Sequence, residues 1–285
     1  MIPIISLVND SSVCYLNSLL QCLMSCHKFN KALQNGSDEI NAYITLINGI
    51  KEHFERLQKS FKVNPTGFKK ILFKDSTLIR GRQEDADETL VYFLDKIGND
   101  NNKYFKNIIR TYTKCLACNH NNYRDEETFQ LYLNIPYEGS MSNITVHDCL
   151  NNYIKPESLG GYKCDSCGQA NETKKALLPI QFGDNIVFVI KQYQRSHRRI
   201  PLKTLEEIDL GSYLFDKSNK KQNISKKYKL NGAIIHHGGM GGGHYQAICQ
   251  KNDLGWFLFD DDYIEKIYDL KPVNGAYMMF YEQSL

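Results

Sequence analysis

The residue types best suited to covalent chemistry are a cysteine near the start of the chain and a histidine near its end. Cys14 stands in NDSSVCYLNSLLQ (residues 9–21), where an apolar stripe of helical period begins after Ser11 and Ser12, either of which would cap the helix. A thiol at a helix N-terminus lies beside unpaired N–H groups and the positive end of the dipole, which favour the attacking thiolate. Cys14 is therefore a candidate nucleophile, although the position also suits a structural cysteine.

The candidate base is His244, which opens an alternating strand pattern in HHGGMGGGHYQAICQ (236–250). Further on, WFLFDDDYIEKI ends a strand in Asp260, Asp261 and Asp262. An imidazole that takes a proton from a thiol and gives it to a leaving amine needs a carboxylate or amide on its other nitrogen. We predict Asp260 for that role, and we expect the glycines before His244 to form a substrate-gated loop. Neither a P-loop Lys-Ser/Thr pair nor a GxGxxG at a helix start accompanies these glycines, which argues against phosphate binding.

Four of the nine cysteines form two CxxC pairs. Four thiolates saturate a tetrahedral zinc ion and leave no position for water, so such an ion would be structural. We predict a zinc site at two hairpin turns, where it would staple a lobe with little core of its own; an iron–sulfur cluster is the alternative. The predicted ligands are Cys115, Cys118, Cys164 and Cys167. The cysteines read as core or surface thiols are Cys22, Cys26, Cys149 and Cys249.

Two kinds of element must position these residues. The first hundred residues show helical periodicity in three stretches, which begin near Cys14, Ile40 and Glu84. From about Thr128 the chain changes to short β-branched and aromatic runs, which predict strands. The strands are predicted over 131–135, 186–193, 244–250, 256–259 and 276–281. The pattern favours an α+β fold with a metal-stapled projection.

Composition limits the classes of function. The chain has 285 residues, 42% of them hydrophobic, with a formal net charge of +3, which predicts a sizeable core and gives no charge argument for nucleic acid. The short basic cluster at 195–199 is typical of a solvated loop. The first residues lack the basic and apolar regions of a signal peptide, and no segment predicts a membrane span. We therefore expect a soluble intracellular protein, cytoplasmic or nuclear or both, with no membrane association.

Four motifs together resemble the ubiquitin-specific protease family of cysteine deubiquitinases. SLVNDSSVCYLNSLLQ is similar to the Cys box GLxNxGxTCYxNSxLQ, and YKLNGAIIHHGGMGGGHYQAICQ, followed by WFLFDD and AYMMFY, is similar to the His box. RQEDADETL resembles the QQDAxEFL helix, and the CxxC pairs resemble the zinc-ribbon fingers. The resemblance covers nearly the whole chain.

The resemblance implies catalytic roles for five residues. Cys14 would be the nucleophile, His244 the general base and then acid, and Asp260 the group that orients it. Asn9 would stabilise the oxyanion, and Asp261 would assist or substitute for Asp260.

The resemblance also implies a substrate, a metal and a shape. Gln83, Asp85 and Glu88 would bind the basic C-terminal tail of ubiquitin, and His236 and Tyr245 would line the same channel. The fold would be a papain-like core shaped as a right hand, with a thumb (about 1–100), zinc-ribbon fingers (about 105–185) and a palm (about 186–285). Zn²⁺ would be the structural cofactor, and a monomer would act on ubiquitin and ubiquitinated proteins, without nucleic acid.

Some positions depart from the family pattern. Ser11, Ser12 and Val13 replace the usual residues just before the nucleophile, Thr89 replaces the usual aromatic residue or leucine, and Gln192–Tyr193 stands where Arg-Phe is common. Two alternatives stay open: a protease for another ubiquitin-like modifier, and an inactive ubiquitin-binding scaffold. The chain starts almost at the Cys box, from which we expect a bare catalytic domain.

Overall fold

The computed structural model of the chain describes residues 3–57, 61–74, 82–136, 144–168, 170–191, 202–239 and 242–284. The basic cluster at 195–199, Gln192–Tyr193 and Gly241 of the glycine-rich run lie outside the described residues.

The helices lie mainly in the first hundred residues, as the periodicity predicts. The three predicted helical stretches correspond to the first, third and fifth helices in the following list. The α-helices of the described residues are α1 (Cys14–Ser25), α2 (His27–Lys31), α3 (Asp38–Leu57), α4 (Thr66–Leu72), α5 (Ala86–Lys96), α6 (Asn99–Asn102) and α7 (Val146–Ile154).

Over the described residues, the strands form three sheets. The strands of the described residues are β1 (Ser6–Leu7), β2 (Lys62–Val63), β3 (Asn107–Cys115), β4 (Asn121–Thr128), β5 (Gln130–Asn134), β6 (Glu157–Lys163), β7 (Ala170–Gln181), β8 (Asn185–Lys191), β9 (Glu207–Asp209), β10 (Lys227–Gly239), β11 (Gly242–Gln250), β12 (Trp256–Asp260), β13 (Tyr263–Ile267) and β14 (Ala276–Gln283). The large sheet has the order β13-β12-β11-β10-β14-β8-β5, with β9 paired to β10, and a smaller sheet has the order β4-β3-β7-β6. β1 and β2 form a separate parallel pair.

In the large sheet, β8 and β14 are buried on both faces, and this explains why most of their residues are apolar. Along β8, Val187 and Val189 pack with α1, α3 and α5 in one core. The alternate residues Phe188 and Ile190 pack with α7 in a second core on the other face. Because strand side chains alternate in direction, this one sheet carries both cores.

The edge strands of the smaller sheet, β4 and β6, are mostly exposed. Seven of the eight residues of β4 are exposed and the eighth is half-buried. β3 pairs with β4 on one side and with β7 on the other, both antiparallel. The two CxxC pairs lie at the turns that join β3 to β4 and β6 to β7, which matches the hairpin positions expected from the sequence. A lobe with so little apolar packing needs a second source of stability.

The division into thumb, fingers and palm remains our proposal. Within it, β5 falls in the range given to the fingers, but it pairs in parallel with β8 of the large sheet. The helix α7 likewise packs on the large sheet.

In the described part of the chain, every helix is too short or too polar to cross a membrane.

Candidate active site

Cys14 is the first residue of α1, as predicted, but the loop before it caps the helix differently from our expectation. Val13 occupies the N-cap position without a side-chain hydrogen bond, so neither Ser11 nor Ser12 is the cap. Ser12 has a left-handed backbone with φ of 52°. The acceptor comes from further back, because Asn9 Oδ1 receives the Val13 N–H at 3.1 Å. Asn9 therefore shapes the turn that presents the thiol.

Asp261 ties this loop to the large sheet. Its Oδ2 accepts from Asn9 Nδ2 and its Oδ1 from Asn17 Nδ2, each at 2.8 Å. Asn17 lies one turn into α1 and is buried. Asp261 begins the turn after β12 and has a left-handed backbone with φ of 51°. Its carboxylate and that of Asp260 therefore have different partners. The contacts of Asp261 are with the loop that carries Cys14, whereas the resemblance implied that it would help Asp260.

His244 and Asp260 form the predicted pair. His244 Nε2 lies 2.5 Å from Asp260 Oδ1, which leaves Nδ1 as the nitrogen that can accept a thiol proton. Gln246 Nε2 donates to the other oxygen of Asp260 at 2.8 Å, and His237 Nε2 lies 2.9 Å from Gln246 Oε1. His244 and Gln246 are two residues apart on β11 and so face the same side of the sheet. Asp260 is held from two directions.

Gln83 bridges the thiol and the strand that carries the histidine. Its Nε2 lies 3.5 Å from Cys14 Sγ and donates to the Gly243 carbonyl at 2.5 Å, while its Oε1 accepts the Gly243 N–H at 2.9 Å. Within the described residues, no hydrogen bond joins Cys14 to His244 directly. Gln83 therefore connects the two halves of the site through its amide group.

The acidity of the thiol differs from the sequence-based expectation. Cys14 is 4% exposed, and burial is the main cause that raises its pKa above the ordinary value. The N–H of Tyr245 and the amide of Gln83 lower the pKa, and the charge of Asp261 raises it. The helix N-terminus alone thus does not make Cys14 a thiolate, and proton removal falls to a base.

The acidic start of α5 lies beside strands of the large sheet. Asp85 is the N-cap of α5, and its Oδ1 accepts the Asp87 N–H and the hydroxyl of Tyr277, each at 2.8 Å. Glu88 is exposed. On the neighbouring hairpin, His236 pairs with Tyr245 across β10 and β11, and their ring centroids are 4.4 Å apart. The five predicted substrate-binding residues thus lie at the start of α5 and along this hairpin.

The glycine-rich run is a strand hairpin over its described residues, whereas the sequence suggested a gated loop. β10 continues to Gly239, β11 starts at Gly242, and Gly238 pairs with Gly243. A Cβ on Gly243 would overlap the carbonyl of His237 and the ring of His236. Glycine is required at this position because another backbone and a ring approach it closely.

The four predicted metal ligands lie together. Their sulfur atoms are all within 4.8 Å of one another, and Cys118 Sγ is 3.6 Å from Cys164 Sγ. Sulfurs placed about 2.3 Å from a tetrahedral zinc lie about 3.8 Å apart, so the donor set fits that ion. The residue after each second cysteine has a left-handed backbone, Asn119 at φ 60° and Gly168 at φ 69°, and donates its N–H to the carbonyl of the first cysteine.

Three contributors to the site were not singled out from the sequence as site residues: Gln246, Tyr277 and Asn17. Gln246 could have been found, because it is the next residue on the same face of the strand as His244. Asn17 lies within the Cys-box match and Tyr277 within the AYMMFY run, so the resemblance could have marked them, although it does not show their partners, which are distant in sequence.

A profile of the ubiquitin carboxyl-terminal hydrolase family matches residues 5–281. The chain belongs to this family, which confirms the resemblance and the α+β fold with its four-cysteine projection. Among its relatives is ubiquitin carboxyl-terminal hydrolase 9 of Saccharomyces cerevisiae, 28% identical over 282 residues, in a match that covers 84% of this chain and 37% of the relative. The chain thus spans just over a third of that relative's length.

Two solved structures have the same fold. The SAGA DUB module of Ubp8, Sgf11, Sus1 and Sgf73 bound to monoubiquitin matches with a TM-score of 0.74 and 19% identity, over 98% of this chain and 69% of the other. The same module bound to ubiquitin aldehyde matches with a TM-score of 0.73 and 20% identity, over the same shares.

Proposed function

We propose that this protein is a thiol-dependent deubiquitinase that hydrolyses the peptide or isopeptide bond after the C-terminal glycine of ubiquitin. The observation that carries the proposal is the meeting of Cys14, at the start of α1, with the His244–Asp260 pair on the large sheet, joined through Gln83. Family membership supports the choice of ubiquitin, and relatives of the same fold are bound to it.

The first half of the reaction transfers an acyl group to sulfur. His244 Nδ1 takes the thiol proton of Cys14, and Asp260 on Nε2 stabilises the resulting imidazolium. For this transfer the Cys14 thiol must come within hydrogen-bond distance of His244 Nδ1. The thiolate attacks the glycine carbonyl, and the C–N bond breaks when His244 gives its proton to the leaving amine. Asn9 has one amide hydrogen left beyond its bond to Asp261, and that hydrogen is our candidate donor to the oxyanion.

The second half hydrolyses the thioester. Water enters where the amine has left, and His244 takes one of its protons as the oxygen attacks the carbonyl carbon. The C–S bond then breaks, the proton returns to the sulfur of Cys14, and ubiquitin leaves with a free carboxylate. No metal takes part in these steps.

The acidic start of α5 would recognise the tail. The tail of ubiquitin carries arginines before two glycines, and guanidinium groups bind carboxylates with charge-assisted hydrogen bonds. Asp85 and the exposed Glu88 supply the carboxylates. His236 and Tyr245 would form the wall of this channel.

The four-cysteine cluster would hold Zn²⁺ by Cys115, Cys118, Cys164 and Cys167. The ion would hold the β3–β4 and β6–β7 turns together, and its four thiolate ligands leave no open position for chemistry. We expect the protein to act as a monomer on ubiquitin and ubiquitinated proteins, without nucleic acid.

The decisive experiment uses ubiquitin with a C-terminal electrophile in place of the scissile amide. We expect wild type to form a covalent adduct, Cys14→Ala to form none, and Cys149→Ala, which removes a buried thiol of α7, to react like wild type. Probes built on other ubiquitin-like proteins test the choice of modifier.

Each other outcome has a defined meaning. A wild type that reacts with no probe contradicts the enzyme and leaves the binding scaffold. An adduct that persists in Cys14→Ala shows a different nucleophile. Faster reaction with another modifier changes the substrate.

A further inference from the structure

Asp87 is a buried carboxylate with no part in the chemistry above. It lies in the first turn of α5 and is 6% exposed. Its Oδ2 accepts the hydroxyl of Tyr132 at 2.8 Å, and its Oδ1 accepts Gln130 Nε2 at 2.7 Å. Both donors stand on β5 of the large sheet. Asp87 therefore fastens the start of α5 to that sheet.

A second contact holds the same helix start from another strand. Asp85 accepts the backbone N–H of Asp87 and the hydroxyl of Tyr277, which stands on β14. The first turn of α5 is thus held by β5 through Asp87 and by β14 through Asp85. Glu88 lies in the same turn, so the acidic groups proposed to bind the tail share this anchor.

Tyr132 connects this anchor to a large cavity. Its ring lines a cavity of about 710 Å³ between the small sheet and the large sheet, and the residue is 41% exposed. The ammonium of Lys191 lies 5.0 Å from the centre of the ring. A ligand in the cavity would contact the ring whose hydroxyl holds Asp87.

The charge of Asp87 is costly where it stands. The pKa of Asp87 is raised to about 6, with burial as the main cause; the hydrogen bonds from Tyr132 and Gln130 lower the pKa, and the charges of Asp85 and Glu88 raise it. An uncharged side chain would pack here without that cost. The carboxylate is therefore best explained by what it holds in place.

We infer that Asp87, with Tyr132 and Gln130, is a positioning residue for substrate binding, which sets the acidic start of α5 for the ubiquitin tail and links it to the cavity. The inference rests on the proposed function, because the tail is the ligand of that helix start. Asp87 itself does not touch the substrate.

The test compares Tyr132→Phe and Asp87→Asn in the hydrolysis of ubiquitin that carries a fluorogenic amide on its last glycine. Tyr132→Phe keeps the ring and removes only the hydroxyl. We expect KM to rise about five- to tenfold in each variant, with kcat within about twofold of wild type, because a binding interaction is weakened. The double variant should be hardly worse than Asp87→Asn alone, since the Tyr132 hydroxyl is proposed to act through Asp87. The matched control is Asp95→Asn, which removes an exposed charge from the same helix.

The binding affinity for ubiquitin, measured by calorimetry in a Cys14→Ala background, gives a second readout that needs no catalysis. It should weaken by the same factor. Unchanged KM and affinity in both variants would overturn the inference, as would a fall in kcat alone or an equal effect of Asp95→Asn. If Asp87→Asn does not fold, Tyr132→Phe decides. A wild type that binds ubiquitin without cleaving it refutes the proposed function and leaves the affinity test of Asp87 intact.

Discussion

Replacing Asp261 by asparagine separates two adjacent carboxylates that look equivalent in sequence. Asp260 contacts His244, while Asp261 accepts from Asn9 and Asn17. Asparagine tolerates the left-handed backbone that Asp261 adopts, so Asp261→Asn changes the hydrogen bonds without adding backbone strain. The matched control is Asp262→Asn. The ion pair of Asp262 in the described residues is with Lys62, and both side chains are exposed.

The expected loss follows from the two bonds. The amide oxygen of the new asparagine can still accept from one of the two donors, Asn9 or Asn17, but this bond is no longer to a charged acceptor. The amide NH₂ faces the other donor, so that hydrogen bond is lost. Hydrogen bonds to charged groups contribute about 1.5–3 kcal/mol when shielded, and the half-buried position reduces this, so we expect about 2 kcal/mol in total. If that energy holds the loop before Cys14 in the reactive geometry, kcat falls about thirtyfold.

The assays are steady-state hydrolysis of fluorogenic ubiquitin and the pH dependence of Cys14 alkylation. The negative charge of Asp261 raises the pKa of Cys14. Its removal should therefore shift the alkylation of Cys14 to lower pH, even as kcat falls. A kcat within twofold of wild type would refute the role of the tie to the loop.

Three further predictions concern other contacts. Gln246→Leu should lower kcat about tenfold by releasing Asp260, and an unchanged kcat would show that Asp260 needs no second support. Asp87 has a folded pKa of about 6 against 3.8 for the ordinary group, so the folded state binds more protons between these values and stability falls as pH rises through this window, by up to about 3 kcal/mol. The free energies of unfolding of wild type and Asp87→Asn, measured by denaturant melts across this pH range, should therefore change with pH at different rates. Parallel pH dependences would contradict the raised pKa. Cys167→Ser should reduce bound zinc from about one ion per chain to near none and lower Tm, and elemental analysis that finds zinc retained would remove this cysteine from the ligand set.

The sequence predicts the elements that have a regular apolar pattern. α1, α3 and α5 have helical periodicity, and the strands of the large sheet have apolar runs because both of its faces are buried. The runs that form β3, β4, β6 and β7 were not predicted, although the hairpin turns between them were, since the mostly exposed β4 and β6 give no apolar alternation to detect. Their pairing depends on partners that sequence patterns do not reveal.

For the candidate site, residue type was sufficient for the main groups and insufficient for their arrangement. Cys14, His244 and Asp260 follow from the chemistry that each can do. The role of Asp261 depends on one positive φ angle, which turns its side chain away from the direction of its neighbour. The raised pKa of Cys14 depends on burial by residues far along the chain. Such effects arise only when the chain has folded.

The helix that carries the nucleophile has no side in solvent. The apolar stripe predicts one buried face, yet all twelve residues of α1 are buried, with the large sheet on one side and α5 on the other. A helix enclosed in this way cannot unravel alone, because its amides reach water only when the packing around it opens. Hydrogen exchange along α1 should therefore report global unfolding, and heat should abolish the reactivity of Cys14 in the same transition that melts the fold.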